Sequence, residues 1–113
     1  MNTITEKPNK RKFKRDIFTD SGVIIPKNNP NKIPFATVDI SEGGLKILTD
    51  RKIESTMCEV YLERLKLTAQ IVHEETRKST IMEKQSFYYG LKFSKPIPAA
   101  VKASLLKMSK KVF

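Results

Sequence analysis

IPFATVDISEGGLKIL, residues 33–48, reads as strand, turn and return strand. Residues 33–40 alternate in the way a strand does. Phe35 and Thr37 share one face, and Val38 and Ile40 come from the other side or the next pleat. Residues 45–48 are a short return strand. Between them lies Asp39-Ile40-Ser41-Glu42-Gly43-Gly44, an acid, a hydroxyl and a glycine pair at a strand-to-strand junction. Asp39 can accept two hydrogen bonds from a flat donor edge, and Ser41 can donate or accept. Gly43 and Gly44 permit torsions and close approaches that a side chain would block. On these six residues alone two readings stand side by side: a plain hairpin turn and a small polar site.

Working outward, residues 16–25 are β-like, with an Asp20-Ser21-Gly22 triplet that suggests a bulge or tight turn. Residues 26–30, PKNNP, form a loop. Residues 57–76 are long enough for one helix. The period through Leu65, Leu67, Ala69 and Ile71 is two, however, so the segment splits into two strands turning near Glu63 and Arg64. Residues 77–85 read as a hairpin loop and residues 86–93, SFYYGLKF, as an aromatic strand. After Pro96 and Pro98 the pattern changes. Ile97, Val101, Leu105, Met108 and Val112 fall on one helical face, with the lysines mostly off it. The expected fold class is all-β with a C-terminal helix: a small six-stranded antiparallel barrel over residues 16–94 and a helix over 95–113 packed on it.

At 113 residues the chain suits one domain, and 39% apolar with 30% charged residues is an ordinary soluble balance. No run approaches the about 18 apolar residues of a membrane span, and the N-terminus has no apolar stretch of a secretory leader. A single cysteine, Cys58, excludes an intrachain disulfide and fits a reducing, cytoplasmic setting. The net charge of +10 is uneven. Lys7, Lys10, Arg11, Lys12, Lys14 and Arg15 face only Glu6 in residues 1–15, and five lysines face no acid in residues 95–113. The middle holds eleven basic and eleven acidic side chains. Basic ends on a neutral body imply an anionic partner.

Chemistry beyond binding finds no support in the residue pattern. His73 stands alone, with no second His or Cys cluster to make a metal site. Cys58 beside Met57 reads as a core residue, and Glu74-Glu75 as a charged strand end. No Walker loop, nucleophile triad or zinc spacing is present. Tyr88 and Tyr89 alternate faces, so one packs inside and the other lies outside, where it can border a ligand. The chain is therefore expected to be a binding module with no catalytic residues, no metal and no cofactor.

Residues 1–10 lack periodicity and read as a mobile tail. Arg11 and Arg15 form an RxxxR pair in a flexible basic segment, residues 1–15. A guanidinium fork can grip a phosphate or the O6/N7 edge of guanine, and its flat face can stack on a base. RxxxR alone is also what a solvated basic tail looks like. In combination with DxSxxG at Asp39, Ser41 and Gly44, it resembles the PilZ domain family, bacterial receptors for the second messenger cyclic di-GMP. The likeness spans nearly the whole chain. Residues 67–72, LTAQIV, are similar to the family's mid-domain strand, and Tyr89-Gly90-Leu91-Lys92-Phe93 to its closing strand.

The resemblance implies a cyclic di-GMP site formed by Lys10, Arg11, Arg15, Asp39, Ser41, Gly43 and Gly44. In it the arginines clamp phosphate and guanine, Asp39 and Ser41 meet a guanine edge, and Gly44 lets the ligand lie close. Lys10, just before the first arginine, favours an intercalated ligand pair. Ligand binding is expected to order the arginine segment and to signal through a protein partner, such as a motility, secretion or synthase component. Two other readings compete. One is a basic barrel binding single-stranded nucleic acid, against which the neutral body argues. The other is an adaptor of the same fold that has lost its ligand.

Overall fold

The computed structural model describes residues 14–29, 31–63, 65–78 and 85–108. The expected tail, with Lys10 and Arg11, and Val112 of the helical stripe lie outside the described residues. The elements run β1 (Asp16–Ile17), β2 (Ser21–Pro26), β3 (Ile33–Ile40), β4 (Gly44–Thr49), β5 (Met57–Leu62), β6 (Leu65–Lys78), β7 (Gln85–Phe93) and α1 (Ala99–Met108). Every strand pairing is antiparallel. The order β3-β2-β5-β6-β7-β4 closes on itself through β3–β4, which makes a six-stranded barrel; the two-residue β1 pairs with β3 beyond the end of β2, on the edge away from β4.

Alternating side chains fill the interior. Ile24, Ile40, Leu45, Ile47, Val60, Leu62 and Leu91 are fully buried, with Phe18, Cys58 and Tyr89 among them. The Tyr89 hydroxyl, a polar group in an apolar site, is satisfied. It accepts from the Ile53 amide at 2.7 Å and donates to Glu74 Oε2 at 3.1 Å.

A β-bulge between Thr37 and Asp39 is what puts the polar motif on the outside. Plain alternation from Phe35 and Thr37, both inward, would turn Asp39 into the core and Ile40 out. The extra residue reverses the parity, so Ile40 is fully buried and Asp39 stays partly exposed opposite Lys46. A second bulge, between Ile71 and His73, lies where β6 leaves β5 and continues with β7 alone.

Two expectations change. Arg77 and Lys78 belong to β6 and Gln85 to β7, not to a hairpin loop. The hairpin is longer because β6 pairs with β7 through Lys78–Gln85, with charged residues satisfied in solvent on an extended backbone. Residues 79–84 lie outside the described residues. The inward stripe of α1 also differs. Leu105 is buried and Val101 only half-buried, while Lys102 is 7% exposed. Lys102 lies one position past Val101 and three before Leu105, and it turns inward because acceptors are waiting there.

Candidate functional site

The turn that joins β3 to β4 is built by its own motif. Ser41 N donates to the Gly44 carbonyl at 2.9 Å, and Gly44 N returns a bond of 3.4 Å to the Ser41 carbonyl. Ser41 Oγ accepts from the amides of Gly43 (3.2 Å) and Gly44 (3.1 Å), a serine turn. Ser41 is buried and keeps one O–H to donate. The hairpin-turn reading and the polar-site reading thus describe the same residues. No glycine here has a positive φ. What Gly44 permits is closeness: a Cβ there would stand 2.2 Å from the Leu91 carbonyl oxygen of β7. The near neighbour of Gly44 is therefore the barrel's own backbone.

Arg15 comes to the same end of β3. Its Nη1 donates to Asp39 Oδ1 at 2.6 Å across 24 residues of sequence, and the two side chains are 27% and 22% exposed. So the second arginine of RxxxR and the acid of DxSxxG are brought into contact. Arg15 Nε is buried with no hydrogen-bond partner among the described residues. A guanidinium has five N–H donors in a fixed fork, and one of them, held off water, faces no acceptor. Beside Asp39, on the outer wall, Lys46 reaches toward the Tyr88 ring at 5.7 Å, and Arg77 covers that ring at 4.2 Å. Tyr88 is thus the outward tyrosine and Tyr89 the inward one.

Three residues at this end were not legible as site residues: Asp16, Glu42 and Lys102. The Lys102 ammonium donates to Asp16 Oδ2 at 2.7 Å, to the Lys14 carbonyl at 2.9 Å and to Glu42 Oε1 at 3.4 Å. The Asp16 hydrogen bond holds the Lys102 ammonium above its ordinary 10.5, and the same bond holds the Asp16 carboxyl below its ordinary 3.8. Glu42 is an unspecified position of DxSxxG, and Lys102 is one lysine of a lysine-rich helix. The one available signal was that Lys102 lies four residues after Pro98 and three before Leu105, on the inward side.

Among the described residues no group of three or more His, Cys, Asp or Glu is placed to hold a metal. His73 is exposed and Cys58 buried. No described helix is long and apolar enough to cross a membrane. A hollow of about 270 Å³ is lined by Ile25, Met57, Cys58 and Thr68 and includes none of Arg15, Asp39, Ser41 or Gly44.

A small closed antiparallel barrel carries a charged cluster where the segment before β2 meets the β3–β4 turn. The chain belongs to the PilZ domain family, whose model matches residues 9–110. Among solved structures it is similar to the PilZ domain with c-di-GMP of YcgR from Escherichia coli. The TM-score is 0.60 at 15% identity, over 89% of each chain. It is also similar to the Bacillus subtilis inhibitor of motility MotI/DgrA, with a TM-score of 0.56 at 18% identity, over 91% of this chain and 51% of that one. YcgR in complex with c-di-GMP gives 0.57 at 18%, over 88% of this chain and 44% of that one. At these identities the likeness is one of fold, and the chain spans about half or less of those two longer proteins. Comparison with curated protein sequences finds no match.

Proposed function

We propose that this chain is a receptor for cyclic di-GMP, that binding fixes the arginine segment ahead of Lys14 against the barrel, and that a protein partner reads the result. The observation that carries the reading is the contact of Arg15 with Asp39, with Arg15 Nε buried beside it and without a hydrogen-bond partner among the described residues. The family and the ligand named for two similar structures support it.

In this reading Arg11 and Arg15 supply guanidinium forks to phosphate oxygens and to guanine O6/N7, while Asp39 accepts from guanine N1 and N2. Adenine would set an amino donor against the arginine, leaving donor facing donor, so guanine is selected. Ser41 donates its remaining O–H, and Gly43 and Gly44 keep the turn low. Lys10 spans a stacked ligand pair. The module does no chemistry of its own.

The magnitudes are compatible. Fixing a residue costs about 1–2 kcal/mol, and a hydrogen bond to a charged group returns about 1.5–3 kcal/mol. Lys14 and Arg15 are already tied down by Lys102 and Asp39. Three or four charge-assisted bonds plus base stacking would then roughly offset the fixing of residues 11–13 against the barrel.

The test is a calorimetric titration with cyclic di-GMP and, in parallel, cyclic di-AMP. We expect saturable binding of the guanine dinucleotide alone, weakened at least about tenfold, the equivalent of one lost charge-assisted bond, by Arg15→Ala and by Asp39→Ala. Equal affinity for both dinucleotides, or none for either, would sink the reading.

A further inference from the structure

Lys102 is the most buried cation described, on a helix that is otherwise mostly exposed. An ammonium has three N–H donors and no acceptor. Here all three find oxygen: a carboxylate of β1, a main-chain carbonyl and a carboxylate of the β3–β4 turn. The partners come from two separate parts of the chain. Lys14 and Asp16 flank Arg15. Glu42 follows Ser41, and its carbonyl also accepts from the Ile97 amide at 2.8 Å, just ahead of α1. No hydrogen bond or ion pair among the described residues joins Lys102 to Arg15 or Asp39, yet it grips the residues on both sides of one and the turn that follows the other.

We infer that Lys102 is a positioning residue for the anion site: from the C-terminal helix it holds the segment bearing Arg15 in register with the DxSxxG turn. The inference deepens the receptor reading and rests on it. Its mechanism is electrostatic. Asp16 and Glu42 both reach the same nitrogen, at 2.7 and 3.4 Å. Without the cation two carboxylates face each other at short range, and like charges there repel. The segment then swings away from the turn and carries Arg15 off Asp39. Because linkage is reciprocal, a ligand that bridges Arg15 and Asp39 tightens the docking of α1 by the same factor. That makes the helix the element on which occupancy of the site is registered.

The test uses the full chain with Lys102→Met, Lys102→Arg and, as a control of equal charge change, Lys107→Met, which alters an exposed lysine on the same helix. In titrations with cyclic di-GMP we expect Lys102→Met to bind at least tenfold more weakly than Lys107→Met, and Lys102→Arg to recover most of the loss. Adding Glu42→Gln to Lys102→Met should recover part of it by removing one of the opposed charges, which a lysine acting only as packing would not show. The salt dependence of binding should match that of Lys107→Met, since Lys102 does not touch the ligand. Equal affinities of Lys102→Met and Lys107→Met, no relief by Glu42→Gln, or a flatter salt dependence overturns the inference.

A second arm needs no nucleotide. Hydrogen exchange at the amides of Phe18 and Gly44 should quicken in Lys102→Met while Val60 stays as in wild type, and unchanged exchange also overturns the inference. Should Lys102→Met fail to fold, Glu42→Gln alone is expected to quicken the same amides. If the wild type binds no nucleotide while the exchange difference stands, the receptor reading fails and the role toward nucleotide with it, but the clamp between segment and turn is upheld.

Discussion

A methyl group at position 44 would meet the Leu91 carbonyl at 2.2 Å, far inside contact distance. The neighbour is backbone in a central ladder, so relief must come from parting β4 and β7. Gly44→Ala should therefore cost about 1–3 kcal/mol of stability, measured as a lower urea midpoint; an unchanged midpoint would mean that the turn gives way freely. Cys58 offers a second check. Burial pushes its thiol up to about 11, and the reactive form is the thiolate. At pH 8 the folded protein should react negligibly with a disulfide reagent and stoichiometrically once unfolded. At this scale the contact of Arg15 with Asp39 and the turn at Ser41 and Gly44 were legible because their spacing is a pattern. Glu42 and Lys102 were not, because neither residue type nor spacing marks a surface charge as one that will be drawn inward. What selects Lys102 is a set of three acceptors assembled from residues 14, 16 and 42, and only the fold assembles it.

Helix α1 and strand β1 are joined by one ion pair, and that gives their contact a pH signature. The Asp16 carboxyl lies below its ordinary 3.8, chiefly through the Lys102 hydrogen bond. A lowered acid binds protons more weakly in the folded chain than in the unfolded one. Its contribution is therefore present above 3.8 and fades as pH falls through the lowered value. Lys102 is raised above 10.5, so its contribution is complete below that value and fades as pH climbs through the raised one. Thermal midpoints across pH should show both limbs in the wild type and a flatter acid limb in Lys102→Met; parallel acid limbs would contradict the assignment. The strands themselves were largely legible, since period-two runs bounded by Gly, Pro and Asp leave little choice. Where β6 and β7 run on past the expected loop, the residues are polar on both faces, and sequence pattern has nothing to grip there.

For the whole molecule, closure of the ring divides the backbone into two classes. Strand β2 is flanked by β3 and β5, whereas the far part of β6 has β7 on one side and no described strand on the other. Local opening follows how much structure must break. Amides in residues 74–78 should exchange at least about a hundredfold faster than those of Ile24 and Val60, as read by hydrogen-exchange mass spectrometry or NMR; uniform protection would show that the long hairpin is tied into the barrel's cooperative unit. Closure was foreseeable from the number and spacing of short strands. Which end of the ring carries the site was not, because that depends on the direction of β3 relative to a segment 24 residues away.

The bulge at Val38 turns that placement into a matter of counting. Between Thr37, which must point inward, and Asp39, which must point outward, stands one residue where a regular strand would need none or two. A regular strand of the present length cannot satisfy both ends: it would swallow the carboxylate and expel Ile40. The bulge is the device by which a spacing of the wrong parity serves both. A chain shorter or longer by one residue at Val38 restores the parity, so it reaches the same two orientations with the strand run straight and the bulge gone. The bulge is thus the mark of an odd count, and it disappears when the count is made even.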